Sequence, residues 1–473
     1  MTAGPDGQSV RSTQDGATVR PREFATRAGT LVGTVTGGVV RVARVPYATA
    51  RRFEPPRDLQ DVRAAGRVGR QRGTHPPASP QRTSRVTARL LGGPEVIEPT
   101  EDCHVLTVTL PADLRAGERL PVIVWIHGGG YTTGAGELDL YDPRALVCEQ
   151  RVVVVAVTYR LGVLGFLGDG RERPANLGLL DVLSALRWVR TNIGALGGAA
   201  DCVTLMGQSS GADAVLHLMA CTDGTPLFRR VILQSPPICA SGRGTSVVRA
   251  MLRVTRSLTA DTPVPTVLDL QARAERAAWW FGARGAMPFG VQYGHAPLPP
   301  LASRERAVRD VAPSVDMLVG SSTEETGLYL PLLPLTRHVM RQPALRAVLR
   351  WMVVRPTSWL VYGRPARRLA LRHRDAGGRA VLYRLAWSPP GSSFGAVHSG
   401  DLALVLGTAA AWRRTALVPA GGWQTTEAAG RAVRRLWADF ARTGSVGVDD
   451  ALDGTLTFHH GHRRPRHRAR TRR

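Results

Sequence analysis

The stretch Gly207-Gln208-Ser209-Ser210-Gly211 lies between a short apolar run, Val203-Thr204-Leu205-Met206, and a helix-forming one, Ala212 to Ala220. The first run suits a buried strand and the second a helix. A strand that feeds straight into a helix must turn sharply, and a glycine on each side of the turn gives the backbone room to do so. This constrains the fold: the chain needs a sheet whose strands run into helices, with the Ser209 hydroxyl presented at a strand's carboxyl end. Such a serine is a candidate nucleophile, although the pentapeptide by itself also fits a plain turn.

A second segment points the same way. Pro121-Val122-Ile123-Val124-Trp125-Ile126 is long enough for a buried strand and too short for a helix, and it ends in His127-Gly128-Gly129-Gly130-Tyr131. Consecutive glycines cost backbone entropy and mark places where the main chain approaches something closely. Backbone N–H groups aimed at a developing oxyanion are each worth roughly 3–4 kcal/mol of transition-state stabilisation. Further apolar runs at Val152 to Val157, Val231-Ile232-Leu233, Met317-Leu318-Val319 and Val381-Leu382-Tyr383 read as strands. Leu179 to Ile193 reads as helix, with apolar residues at Leu179, Val182, Leu186, Val189 and Ile193. Strands alternating with helices predict an α/β fold with a mostly parallel central sheet covered by helices on both faces.

Taken together, these segments resemble the type-B carboxylesterases, the carboxylesterase/cholinesterase family of the α/β-hydrolase superfamily. Val45-Pro46-Tyr47-Ala48 with Arg52-Phe53-Glu54-Pro55-Pro56 is similar to the family's N-terminal signature, with a shortened stretch between the two parts. Glu101-Asp102-Cys103, Tyr159 to Phe166, Asn176 to Asp181 and Trp437 to Gly444 match further segments in order, and the resemblance spans about residues 28 to 458. It implies an α/β-hydrolase fold with cap-like insertions and a triad in the chain order Ser, acid, His. Ser209 is then the nucleophile, and His398, in Gly395-Ala396-Val397-His398-Ser399-Gly400-Asp401, is the base. Glu325 is the acid, with Glu324 as the alternative; both follow the apolar strand at 317–319. The resemblance further implies an oxyanion hole made by the amides of Gly129, Gly130 and Ser210.

Hydrolysis of small to medium carboxylic esters through an acyl-enzyme follows, without metal or organic cofactor. Activity should fall at acid pH as His398 protonates, since a free imidazole titrates at about 6.5. A catalytically inactive cholinesterase-like binding protein is the alternative, and the intact Ser209, Glu325 and His398 argue against it. Gln208 stands where the family commonly has glutamate, Ser210 where it has alanine, Asp401 where it has glutamate and Val182 where it has glutamine. None of these removes a catalytic atom. Ser235 matches a family serine near the triad histidine, and Arg52 and Glu101 match a family ion pair.

At 473 residues and 43% hydrophobic, the chain can bury one large core. Residues 1–27 read as disordered, 28–458 as the catalytic domain with excursions at about 240–312 and 330–390, and 459–473 as a basic His/Arg-rich tail. Trp279, Trp280, Phe281, Phe289 and Tyr293 are candidates for an acyl pocket, with core packing as the plainer role. The net charge of +25 comes from 62 basic residues, all arginine and mostly scattered, which fits coding bias better than specific nucleic-acid contact. The exception is the tail, which reads first as a solvated run without a partner, with contact to anionic surfaces as the alternative. No apolar run is long enough to span a membrane. Five cysteines without framework spacing, and none before Cys103, point to a reducing, cytoplasmic setting. The partner expected is a small-molecule ester, and the sequence leaves the oligomeric state open.

Overall fold

The computed structural model describes residues 20–59, 75–82, 90, 97–221, 227–238, 245–285, 287–332, 336, 342–447, 452 and 454–459. One sheet holds β1 (Arg20–Thr26), β2 (Gly29–Thr36), β3 (Val39–Pro46), β4 (Val105–Pro111), β5 (Leu120–Ile126) and β6 (Val153–Val157). It continues with β7 (Gly198–Gln208), β8 (Arg230–Gln234), β9 (Asp316–Ser322), β10 (Ala380–Leu385) and β11 (Leu456–His459). The spatial order is β1-β2-β3-β4-β6-β5-β7-β8-β9-β10-β11. From β6 to β10 all neighbours are parallel. The strands from β1 to β4 and the edge strand β11 pair antiparallel. The order reverses at β5, which has β6 on one side and β7 on the other. A reversal of this kind opens a crevice at the carboxyl ends of the parallel strands, where ligands bind in open α/β sheets.

The parallel strands are apolar on both faces because both are covered. On β5, Val122, Val124 and Ile126 enter one core, while Ile123 and Trp125 enter the other. Helices α2 (Leu177–Asn192) and α3 (Ser210–Leu218) cover the first face with Leu179, Leu186, Val189 and Val215. Helices α1 (Arg144–Gln150) and α8 (Trp423–Thr443) cover the second with Leu146, Val147, Leu436, Trp437 and Phe440. Each fully buried side chain of this size contributes roughly 1.5–3 kcal/mol. Between α3 and α8 lie α4 (Thr245–Val254), α5 (Val264–Trp279), α6 (Arg304–Val311) and a long helix over 343–375, α7.

A buried ion pair fixes the start of α2. Arg160 grips Asp181 through Nε and a terminal nitrogen at 2.8 and 2.6 Å, and a ring nitrogen of His104 lies 3.2 Å from the same carboxylate. Burial alone would raise the Asp181 carboxyl, but Arg160 and His104 outweigh it and hold the group below the usual range. Arg52 Nε donates to both oxygens of Glu101 at 3.1 and 2.9 Å, forming the expected pair.

Three expectations need correction. The segment read as disordered to residue 27 contains β1 from Arg20, whose backbone ladder with β2 does not depend on its polar composition. The excursion drawn to 390 ends earlier, because β10 begins at Ala380 inside the sheet. Trp279 and Trp280 belong to neither core nor pocket: they are 74% and 91% exposed at the end of α5. Of the remaining residues in that group, Phe289 is fully buried, and Tyr293 hydrogen-bonds His217 at 2.9 Å. The described cysteines are free and Cys103 is buried, which pushes its thiol up; Cys239 lies outside the described residues, as do residues 460–473 of the tail.

Candidate active site

β7 passes into α3 through Ser209, whose φ of 55° and ψ of −126° no ordinary strand or helix residue adopts. The close packing explains both flanking glycines. A Cβ at Gly207 would overlap the Gly211 carbonyl group, and one at Gly211 would overlap the Ile126 carbonyl oxygen. The Ser209 amide donates to the Gln234 carbonyl at 2.9 Å, so the elbow is tied to β8. Its hydroxyl makes no hydrogen bond among the described residues, to His398 or to any other group.

The loop after β5 closes over this elbow. A Cβ at Gly128 would sit 3.2 Å from the Ser209 Cβ, and Gly129 has a φ of +115° with the Thr133 carbonyl against it. The Gly129 carbonyl accepts from the amides of Thr132 and Thr133 at 3.1 Å each, which folds the loop back on itself. His127 anchors its base. Nδ1 lies 2.8 Å from the Gly128 oxygen, the ring stacks on Tyr159 at 4.5 Å, and burial lowers its pKa to about 4. It is therefore a neutral structural histidine at physiological pH. Ser210 accepts from the Tyr131 amide at 3.3 Å, and the Tyr131 hydroxyl donates to Asp213 at 2.8 Å. Among the described residues, the amides of Gly129, Gly130 and Ser210 donate to no protein acceptor.

The two adjacent glutamates after β9 part company. Glu325 turns inward: Oε1 accepts from the Ser322 amide at 2.6 Å and the Ser235 hydroxyl at 2.5 Å, and Oε2 meets His398 Nδ1 at 2.5 Å. Glu324 is also buried but pairs elsewhere: Arg355 Nε reaches Oε1 at 3.0 Å and Arg350 Nε reaches Oε2 at 2.9 Å. The structure thus brings together Glu325 and His398 and leaves Glu324 apart from them. On the other side of the imidazole, Nε2 lies 3.3 Å from the Gln208 amide nitrogen, one residue before Ser209. With the ring proton on Nδ1 facing Glu325, Nε2 is an acceptor and the Gln208 amide is its donor.

Several neighbours were not legible beforehand. Tyr362 and Tyr329 flank the His398 ring at 5.2 and 6.2 Å. Gln234 donates to Asp401 Oδ2 at 2.8 Å, beneath the histidine loop. The spacing Val354, Ser358, Tyr362, Ala366, Ala370 marks a buried helix face and was the one signal for Tyr362. Nothing local marks the contact of Gln208 with a histidine 190 residues away. Among the described residues, no group of three His, Cys, Asp or Glu side chains is arranged to hold a metal ion, and no helix is long and apolar enough to cross a membrane.

Comparison with known proteins matches residues 21–343 to the model of the carboxylesterase family. The chain is 33% identical over 423 residues to the Probable N-octanoylanthranilate hydrolase of Rhodococcus erythropolis, covering 88% of this chain and 91% of that one. It is 37% identical over 220 residues to the para-nitrobenzyl esterase of Bacillus subtilis, covering 44% and 42%. Among solved structures it resembles a thermophilic para-nitrobenzyl esterase with a TM-score of 0.70 at 24% identity, covering 93% of this chain and 97% of that one. A carboxylesterase of Geobacillus stearothermophilus gives 0.67 at 26% identity, covering 92% and 93%. The fold is that of the α/β-hydrolases.

Proposed function

The chain belongs to the carboxylesterase family, and from that premise we propose that it hydrolyses carboxylic esters through Ser209, His398 and Glu325. The observation that supports this assignment most directly is the 2.5 Å contact of Glu325 with His398 Nδ1, beside an elbow that exposes Ser209. Glu325 fixes the tautomer that leaves Nε2 free of a proton and stabilises the imidazolium that forms later. For Nε2 to take the Ser209 proton, the Gln208 amide must yield its place on that lone pair. Ser209 Oγ then bonds to the acyl carbon as its proton passes to His398, and the carbonyl oxygen becomes an oxyanion. The amides of Gly129, Gly130 and Ser210 are fixed donors for that charge. Collapse breaks the acyl–oxygen bond, and the alcohol leaves with the proton from His398. Water repeats the sequence on the acyl-enzyme and frees the acid.

For the substrate, we favour aryl or alkyl esters of small to medium acids. The Rhodococcus relative's name puts an octanoyl group on the nitrogen of anthranilate, an amide, so it supports the acyl size range and not the ester linkage. The test is labelling with a fluorophosphonate probe, followed by mass spectrometry of the adduct. Labelling confined to Ser209 and absent from Ser209→Ala is expected. A folded protein that takes no label, or takes it elsewhere, overturns the assignment.

A further inference from the structure

Helix α7 carries two opposed faces. It runs over 343–375 as α-helical segments Pro343–Leu349, Arg355–Ser358 and Arg364–Asp375, joined by π turns at Arg350–Val354 and Trp359–Gly363. Its buried residues Val354, Ser358, Tyr362, Ala366 and Ala370 recur at every fourth position, and His373 is buried one turn further on. On a regular α-helix such a row would drift by about 40° per step. The wider π turns absorb that drift and keep the row against the body, and π turns of this kind gather at functional sites. The inner face touches the active site: Tyr362 flanks His398, and the Ser358 hydroxyl accepts from the Thr326 amide at 3.0 Å.

The outer face is apolar and uncovered by any described residue. Of fourteen large hydrophobic side chains exposed among the described residues, nine lie on α7. Trp351 is 71% exposed, Met352 68%, and Leu345, Val348 and Leu360 at least half. Exposed apolar side chains gathered on one helix in this way mark an interaction surface. Its surroundings state the partner's charge. Over 343–375 the helix carries eight arginines and one acid, Asp375. Arg364, Arg367 and Arg368 make no ion pair among the described residues. Along the flank of Trp359 and Leu371, a cavity of about 550 Å³ is lined by Arg355, Arg367, Arg374 and Arg384. A second copy would bring the same excess positive charge to the contact, in a chain already at +25. A surface that is apolar within and anionic outside satisfies both halves of the helix.

We propose that α7 docks the protein on an anionic lipid surface, its Leu345-to-Met352 and Trp359–Leu360 face entering the headgroup–acyl boundary while Arg364, Arg367 and Arg368 meet lipid phosphates. Tryptophan prefers that depth, where an apolar ring and a polar N–H are both satisfied. Docking would set the His398 side of the helix directly behind the lipid contact. It does not depend on the hydrolytic assignment, because none of the docking side chains belongs to the proposed triad.

Flotation with vesicles of phosphatidylcholine alone, or with phosphatidylglycerol added, tests this. The full-length chain is expected to float with the anionic vesicles and to be released by raised salt. Trp351→Glu combined with Met352→Glu should weaken partitioning about tenfold or more, as should the triple change of Arg364, Arg367 and Arg368 to Gln. Both variants should hydrolyse 4-nitrophenyl acetate in solution as the wild type does, which shows them folded. Ser209→Ala should float like the wild type, so loss of catalysis and loss of docking read out separately. Failure to float with anionic vesicles overturns the proposal, as does flotation that ignores lipid charge. So does sedimentation showing a dimer that Trp351→Glu dissociates, since that makes a second copy the occupant.

Discussion

Replacing Asp401 by asparagine should remove a pH-dependent loss of stability that the wild type carries beneath its histidine loop. Asp401 is buried, and one oxygen accepts from Gln234 while Oδ1 has no partner. Burial pushes its carboxyl up from 3.8 to about 7; the Glu325 charge adds to this, and His398 and Gln234 oppose it. Between those values the unfolded chain has released the proton and the native chain retains it, so raising the pH favours unfolding. Below about pH 4 the full stability is present, and above about pH 7 the loss is complete. At 1.36 kcal/mol per pH unit, the window is worth about 4 kcal/mol. A proton on Oδ1 also suits its surroundings: it turns an unpartnered acceptor into a donor near Gln234, whose own Oε1 lacks a partner.

The amide side chain of the Asp401→Asn variant cannot titrate, and groups that do not interact with Asp401 cancel when the two proteins are compared. Urea denaturation of both, from about pH 4 to about pH 8, should therefore give a stability difference that grows by about 4 kcal/mol in favour of the variant. A difference that stays constant within about 1 kcal/mol would falsify the claim that this carboxyl is protonated in the native state at low pH and strained when ionised.

Five further substitutions test the proposed site and its supports. Gln208→Glu replaces an amide donor with a carboxylate beside His398 Nε2, which favours the imidazolium; the acid limb of kcat/KM should move up by about one pH unit, and an unmoved limb refutes the contact. Ser235→Ala takes one of three donors from a fully buried carboxylate, and a stability loss of about 1–3 kcal/mol with reduced kcat should follow in denaturation and rate measurements. Glu325→Gln should cut kcat by roughly 10³–10⁴-fold, while Glu324→Gln should lower the melting temperature and leave kcat within a few-fold; equal rate losses would undo the distinction. Arg52→Ala strands Glu101 and should cost about 1–3 kcal/mol, read by thermal unfolding.

What the sequence made legible is what short-range sterics decide. The elbow could be found because the clash that demands Gly207 is set within its own five-residue turn, although the one that demands Gly211 comes from Ile126 on β5. The central strands could be found because they are buried on both faces and so read as unbroken apolar runs. The edge strand β1 could not, since its backbone pairs with β2 whatever its side chains are, and Phe24 is its one deeply buried described residue. Trp279 and Trp280 misled for the converse reason. An aromatic pair carries no mark of whether a neighbour covers it, and here among the described residues nothing does.

The backbone of the site shows why its finer geometry stayed hidden. Among the residues other than glycine that hold positive φ are three serines of this one site: Ser209 at 55°, Ser235 at 50° and Ser399 at 65°. Each such residue costs of order 1–3 kcal/mol and persists only where its surroundings over-determine it. The surroundings here are strand register. Ser209 N–H is held by the Gln234 carbonyl and Ser235 N–H by the Gly320 carbonyl, both at 2.9 Å, each one strand further along the sheet. Gln208 is paired with Gln234, and Gln234 with Gly320, so one ladder sets both strained turns at the same height. A one-residue slip of β8 would release both serines and withdraw the Ser235 hydroxyl from Glu325. The strain is thus a property of the assembled sheet, and a serine carries no local sign that it will be forced into it.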